Sequence, residues 1–147
     1  MSYKIIGIAT GAFDMFHIGH LNLFQNAKKH CDLLYAGVHS DASIRKNKNK
    51  EPVIPEADRL EIVRGCKYVD EAWIFEGYAV DESLIEFSIK NAGRICDLVF
   101  VGSDWQNTAQ GEIWESVMNK YNVKIIWLPY TRNVSSTQIK SDVKQGK

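Results

Sequence analysis

The sequence predicts a doubly wound α/β domain, in which a parallel sheet lies between two layers of helices. Three observations predict it: short apolar runs recur along the chain, segments with helical periodicity separate them, and the first run ends in the turn Thr10-Gly11. Successive runs lie about one helix apart, and such βαβ crossovers make neighbouring strands parallel. The 147 residues fit one domain, spanning 1–147, without internal repeats or linkers.

The predicted elements alternate along the chain. The first strand, residues 4–9, precedes a helix from about Ile18, whose apolar positions Leu21, Phe24 and Ala27 recur every three residues. The other predicted strands are residues 33–38, 72–75, 98–101 and 124–128. One further helix is predicted to start at Pro55, and two others to lie around residues 83–91 and 110–121. Residues 45–50 are basic and turn-like. The result is a single Rossmann-like, doubly wound domain with a five-stranded, mainly parallel sheet, which binds ligands beyond the carboxyl ends of its strands.

Composition excludes several classes of function. Eighteen basic residues balance eighteen acidic ones, so no net charge attracts the chain to nucleic acid or to an anionic membrane. Three cysteines without a CxxC pair indicate reduced thiols. Residues 1–10 lack a secretion signal, and no apolar stretch has the length of a membrane helix. We therefore expect a cytoplasmic protein without nucleic-acid or membrane partners.

The segment Gly11–His20 carries the clearest chemical signal. It follows the first strand and opens the first helix, where backbone amides and the helix dipole favour a phosphate. His17 and His20 span the helix entry, so both imidazoles can meet the charge of a transferring phosphoryl group and its leaving pyrophosphate. Gly19 allows close approach of a ligand. Asp14 is expected to fix the loop or to cap the helix.

Two other interpretations of the histidine pair need weighing. An arbitrary HxxH pair is most often an ordinary surface feature, and only the surrounding pattern favours a site. A zinc site would need a third and a fourth ligand, and none occurs at suitable spacing, since His30 and His39 are isolated. No metal-ligating residue is therefore predicted.

The loop GAFDMFHIGH resembles the GxFDxxHxGH signature of cytidylyltransferases, within the HxGH nucleotidyltransferase superfamily. The likeness is greatest to glycerol-3-phosphate cytidylyltransferases and extends to the ethanolamine-phosphate and choline-phosphate enzymes. It implies catalytic roles for His17 and His20. It also implies a group of nucleotide-binding residues in this first loop: Thr10, Gly11, Ala12, Phe13, Asp14 and Gly19.

Further segments extend the resemblance. Lys46 and Lys48 are similar to the family's paired lysines, which implies catalytic contacts with phosphates, and Lys46 is also implied in acceptor binding. Arg59 matches a family arginine and is assigned to the acceptor. Asp104 and Trp105, in a segment like the family's GDDW, are implied in acceptor binding, and Asp104 also in nucleotide binding.

Near the end of the chain, residues 130–140 resemble RTxGISTTxIK, which implies nucleotide contacts from Ser135, Ser136 and Thr137. Two positions depart from the pattern: Tyr130 stands where the family has Arg, and Asn133 where it has Gly. Arg132, an additional arginine, is assigned to the nucleotide as a replacement. These departures leave the identity of the acceptor open.

The resemblance implies transfer of CMP from CTP to a small phosphorylated alcohol, similar to glycerol 3-phosphate, with Mg²⁺ accompanying CTP and a homodimer as the working form. Three alternatives stay open: an adenylyltransferase that uses ATP, a non-catalytic nucleotide-binding regulator, and a class I aminoacyl-tRNA synthetase. Tyr130 and Lys67, the latter in place of a family Arg, favour the regulator. The synthetase is disfavoured because the chain has no KMSKS-like segment. Residues 77–93, with Tyr78 and Phe87, are expected to line an acceptor pocket or a subunit interface.

Overall fold

Five parallel strands form one sheet in the order β3-β2-β1-β4-β5. The computed structural model describes residues 3–129 and 136–144. The strands are β1 (Ile6–Gly11), β2 (Leu33–His39), β3 (Glu71–Phe75), β4 (Leu98–Gly102) and β5 (Lys124–Leu128). The chain runs outward from β1 to β3, then returns to pair β4 with the free side of β1. This reversal between β1 and β4 creates the crevice in which such sheets bind ligands.

Helices cover both faces of the sheet. They are α1 (Ile18–Lys28), α2 (Asp41–Lys48), α3 (Glu56–Arg64), α4 (Glu82–Ala92), α5 (Ala109–Lys120) and α6 (Ser136–Lys144), and a short 3-10 turn covers Ser103–Trp105. None of the helices within the described part of the chain has the length and apolar character that a membrane span requires.

Alternation of side chains along the strands divides the core into two layers. Ile6 and Ile8 of β1 pack with Leu84 of α4 and Met118 of α5 on one face. Ala9, the next residue of β1, lies in the other layer, which contains Phe24 and Ala27 of α1 and Val63 of α3. The predicted doubly wound α/β class with a five-stranded parallel sheet is therefore confirmed.

The sequence prediction is wrong for residues 45–50. Arg45, Lys46 and Lys48 form the last turns of α2 and not a turn-like stretch. The Ser40 side chain caps the helix start by accepting from the Ser43 N–H at 3.0 Å, and basic residues near the helix end interact favourably with its dipole. Asn49 ends the helix in a left-handed conformation with φ 50°. With only two buried residues, the helix has almost no apolar periodicity to reveal it.

Candidate active site

The predicted histidine pair forms the start of α1. The Gly19 N–H donates to His17 Nδ1 at 3.0 Å, which makes His17 the cap of the helix. In return, the His17 N–H donates to His20 Nδ1 at 3.1 Å. The two rings stack with their centroids 3.9 Å apart. Two backbone donors that a helix start leaves without partners are thus paired with imidazole nitrogens.

These hydrogen bonds fix the tautomer of both rings. A nitrogen that accepts a hydrogen bond carries no proton, so the proton of each neutral imidazole lies on Nε2. Burial lowers the pKa of His17, and burial together with the neighbouring His17 lowers the pKa of His20 to about 4, although Asp14 opposes this shift. At neutral pH the pair therefore offers two neutral Nε2–H donors.

Aromatic packing sets the position of His20. Its ring lies 5.5 Å from the ring of Phe13 and 5.3 Å from that of Phe16, measured between centroids. Phe13 takes a left-handed backbone conformation, with φ 51°, and a side chain at Gly11 would approach its ring to 3.1 Å. Gly11 thus leaves room for the Phe13 ring that supports His20.

Asp14 links this loop to the segment after α2. Its two carboxylate oxygens accept the N–H groups of Val53 at 2.7 Å and Ile54 at 2.9 Å. Asp14 therefore fixes the loop, as one of the two expectations had it. The other expectation is wrong, because the cap of α1 is His17 itself.

Arg59 lies at the centre of the arrangement with 0% of its surface exposed. Its Nη1 donates to the carbonyl oxygens of Ala12 at 2.7 Å and His39 at 2.8 Å. Its Nη2 donates to Asp41 Oδ1 at 2.7 Å, and its Nε to the Ile54 carbonyl at 2.8 Å. This burial contradicts the predicted contact of Arg59 with the acceptor. Arg59 is a positioning residue that joins the first loop, the end of β2 and α2.

A cleft of about 360 Å³ lies at the carboxyl ends of the strands, on either side of the topological switch. Thr10 of β1, His39 of β2 and Gly102 of β4 line it. Leu23 also lines it, one helical turn after His20 on the same side of α1. His17 and His20 are not among the described residues that line the cleft; Leu23 connects the cleft to the helix that the histidine pair begins.

The two predicted lysines point in different directions. Lys48 lines the cleft, with Nζ 5.9 Å from the centre of the Tyr78 ring. Partial desolvation of its ammonium, together with the charges of Lys50 and Lys140, lowers the pKa of Lys48 against an opposing effect of Asp14. Lys46 instead lines a separate depression with Ser43 and Gly77. Residues two apart on a helix lie roughly 200° apart around its axis, so the structure does not bring Lys46 to the cleft with Lys48.

Asp104 and Trp105 lie where the sequence predicted, on the 3-10 turn after β4, and both line the cleft. Tyr78 lines it too, which supports the pocket expected near residues 77–93, whereas Phe87 is 7% exposed and belongs to the core. Arg132 and Ser135 lie outside the described residues. Ser136 and Thr137 lie at the start of α6, and their side chains are outside the description.

Sequence reasoning missed several side chains of the cleft, among them His39 and Trp114. His39 was treated as isolated, although it ends the second strand at the ligand-binding edge of the sheet. Neither ring nitrogen of His39, nor Nε1 of Trp114, has a hydrogen-bond partner among the residues that the structure describes, and all three atoms are buried. An unsatisfied buried polar group costs about 1–3 kcal/mol. These atoms therefore need a partner.

Comparison with known proteins gives a family match over most of the chain. Residues 8–142 match the family described as cytidylyltransferase-like. An ethanolamine-phosphate cytidylyltransferase of Dictyostelium discoideum is 34% identical over 88% of this chain, and an FAD synthase of Thermococcus onnurineus is 33% identical over 86%. The chain spans 34% of the first relative and 81% of the second. The crystal structure of the lipopolysaccharide core biosynthesis protein from Thermoplasma volcanium has a TM-score of 0.65 at 28% identity, covering 88% of this chain and 98% of that one.

Replacement of Arg59 by Met should lower the free energy of unfolding by about 3–5 kcal/mol, because Asp41 and three buried or part-buried carbonyls lose their donor. Arg64→Met is the matched control, since Arg64 pairs with Glu71 at 3.1 Å where both side chains are exposed. That variant should lose about 1 kcal/mol or less. Urea denaturation measures both changes. Equal losses in the two variants would contradict the role given to Arg59.

The tautomers of His17 and His20 can be read directly. Long-range ¹H–¹⁵N spectra at pH 7 should show both rings neutral and protonated on Nε2. Burial and the neighbouring His17 lower the pKa of His20 from the ordinary 6.5 to about 4, so this ring should gain its proton only as the pH approaches 4. The unfolded chain takes up that proton first, so stability should fall as the pH drops from 6.5 towards 4. An Nδ1–H tautomer or an imidazolium at pH 7 would refute the geometry.

Proposed function

The chain belongs to the cytidylyltransferase-like family, and from this premise we propose that it transfers CMP from CTP to a small phosphorylated alcohol, with release of pyrophosphate. The observation that carries the proposal is the pair of neutral imidazoles at the start of α1, with both Nδ1 atoms occupied and both Nε2–H groups available as donors. The chain spans about a third of the Dictyostelium relative, so the activity is a proposal for this chain itself.

The reaction requires stabilisation of the negative charge that develops on the phosphates, and it requires no general base. A phosphate oxygen of the acceptor attacks the α-phosphorus of CTP, a new P–O bond forms, and the bond to the β-phosphate breaks. The acceptor phosphate is already ionised, so no proton has to be removed from the nucleophile. Negative charge grows on the oxygens around the α-phosphorus and on the departing pyrophosphate. His17 and His20 donate hydrogen bonds to these oxygens, and fixed donors need no reorganisation as the charge develops.

Lys48 supplies the positive charge at the cleft. Its ammonium lies 5.9 Å from the centre of the Tyr78 ring, and the charge of Asp14 opposes the lowering of its pKa. A flexible point charge of this kind suits a triphosphate that enters from solvent. We assign Lys48 to the phosphates of the nucleotide or of the acceptor. Lys46 faces another surface and takes no part in this assignment.

We expect Mg²⁺ to bind together with the phosphates of CTP. In the part of the chain that the structure describes, no three His, Cys, Asp or Glu side chains lie close enough to bind a metal ion. Magnesium is commonly bound by substrate phosphates, water and one or two carboxylates, and Asp104 is the carboxylate that lines the cleft. Bound there, the ion would neutralise part of the triphosphate charge.

An adenylyltransferase is the second candidate, because the chain is also similar to an FAD synthase, and FAD contains an adenine nucleotide. Pyrophosphate release from CTP and from ATP, each with glycerol 3-phosphate as acceptor, separates the two. We expect turnover with CTP. Turnover with ATP alone would replace CTP in the proposal, and binding of CTP without turnover on any phosphate ester would favour the regulator.

His17→Asn tests the catalytic role without removing the helix cap. Asparagine is a favourable cap residue, so the melting temperature should change little, whereas His17→Ala should also lose about 1 kcal/mol of stability. Loss of the Nε2–H donor should lower kcat by about 10²–10³. His30→Asn, at an exposed position after α1, is the control and should keep the normal rate. A normal kcat in His17→Asn would exclude the assigned role.

The homodimer is expected from the resemblance alone, whereas the cytoplasmic location and the absence of nucleic-acid and membrane partners are expected from composition and charge. We propose a homodimer that acts in the cytoplasm on CTP and a phosphorylated metabolite, without nucleic-acid or membrane partners. Sedimentation analysis of the purified chain tests the dimer.

A further inference from the structure

The cleft contains three buried polar atoms that need hydrogen-bond partners. They are the two ring nitrogens of His39 and Nε1 of Trp114, and none has a partner among the residues that the structure describes. These three atoms lie on two side chains that line one continuous cavity. A ligand in that cavity is therefore the candidate partner for these atoms.

Two other aromatic side chains of the cleft lie beside the rings that carry these atoms. The His39 ring, 6% exposed as a residue, lies 5.0 Å from the ring of Tyr78, measured between centroids. The Trp114 ring lies 5.2 Å from that of Trp105. Tyr78 and Trp105 themselves line the cleft. Because the three atoms are buried, a ligand in the cleft reaches them only when neighbouring side chains move.

The backbone of His39 is firmly fixed while its ring lacks partners. The His39 carbonyl oxygen accepts a hydrogen bond from the buried Arg59, and His39 pairs with Phe75 where β2 and β3 lie side by side. The ring position is therefore set by the sheet and by a buried cation. Burial, Lys48 and Arg59, in that order, lower the pKa of His39 to about 4, so the ring is neutral at pH 7. It then offers one donor and one acceptor.

The hydrogen-bonding groups of His39 and Trp114 distinguish between possible acceptor substrates. Trp114 Nε1–H only donates, and an ammonium group also only donates, so an amino-alcohol cannot satisfy Trp114. A hydroxyl group can accept from Trp114 and can both donate to and accept from His39. The positive charges of Lys48 and Arg59 near His39 also disfavour a cation at that end of the cleft. Asp104, the acidic residue of the cleft, lies on the exposed 3-10 turn.

We propose that His39 and Trp114 bind the hydroxyl groups of the acceptor and thereby select a phosphorylated polyol over a phosphorylated amino-alcohol. The proposal rests on the proposed nucleotidyl transfer and adds to it the chemical class of the acceptor. A site built to pair with a hydroxyl rejects the analogue without it, because its own polar atoms are then left unpaired.

The test compares glycerol 3-phosphate with ethanolamine phosphate, which share the phosphate ester and differ in the hydroxyl or ammonium end. Pyrophosphate release with CTP gives kcat and KM for each. The variants are His39→Leu and Trp114→Phe, which remove the polar atoms and retain apolar bulk, and His39→Gln, which retains a donor and an acceptor. Trp127→Phe is the control, since Trp127 Nε1 donates to Glu115 at 3.0 Å outside the cleft.

We expect the wild type to prefer glycerol 3-phosphate. His39→Leu and Trp114→Phe should raise KM for that acceptor at least about tenfold, with KM for CTP unchanged, while His39→Gln and the control stay within about threefold of the wild type. The melting temperature without ligand should not fall in His39→Leu, because the ring nitrogens form no bonds that the variant could lose.

Two different results would contradict the inference, and they are distinguishable. If the wild type releases pyrophosphate but prefers ethanolamine phosphate, or if both variants keep the normal KM for glycerol 3-phosphate, the assignment of His39 and Trp114 is wrong and the proposed transfer stands. If the wild type releases no pyrophosphate with either acceptor, although CTP shifts its melting temperature, the proposed function itself fails and the inference fails with it.

Discussion

The buried guanidinium of Arg59 is the interaction on which the arrangement of the site depends. It joins the carbonyl oxygens of Ala12 and His39 to the carboxylate of Asp41. These acceptors belong to the loop before the histidine pair, to the end of β2, and to the helix that carries Lys48. A charge with no exposure to water is stable only when acceptors surround it, so these three segments have to remain together. One cation thus sets the relative positions of groups that lie far apart in sequence.

In the histidine pair, one ring nitrogen serves local folding and, on the proposed mechanism, the other serves the chemistry. A helix start leaves backbone N–H groups without partners, and here imidazole nitrogens accept two of them. That pairing occupies both Nδ1 atoms and directs the remaining proton of each ring to Nε2. The lowered pKa values keep the rings neutral, so they act as fixed dipolar donors and not as exchangeable acids. Gly19 has its role here, because its N–H is the donor that orients His17.

Much of this could be predicted from the sequence, and the exceptions have physical causes. Apolar runs located all five strands, because buried parallel strands are nearly continuous in apolar residues. The helix α2 lacks that signal, since capping and charge stabilise it. Arg59 could be recognised as important, but its burial depends on acceptors from three distant segments that a linear pattern does not reveal. His39 was missed for the same reason: its position at the end of β2 matters only once β1 and β4 complete the cleft.

The central claim is that the two Nε2–H groups meet the triphosphate where its charge develops. A crystal structure with a CTP analogue that carries a methylene bridge between its α- and β-phosphorus atoms tests this most directly. We predict Nε2 of both His17 and His20 within about 3 Å of oxygens on the α- or β-phosphate, with both Nδ1 atoms still bonded to the backbone. A triphosphate bound away from the start of α1, or rings that have turned to present Nδ1, would contradict the account.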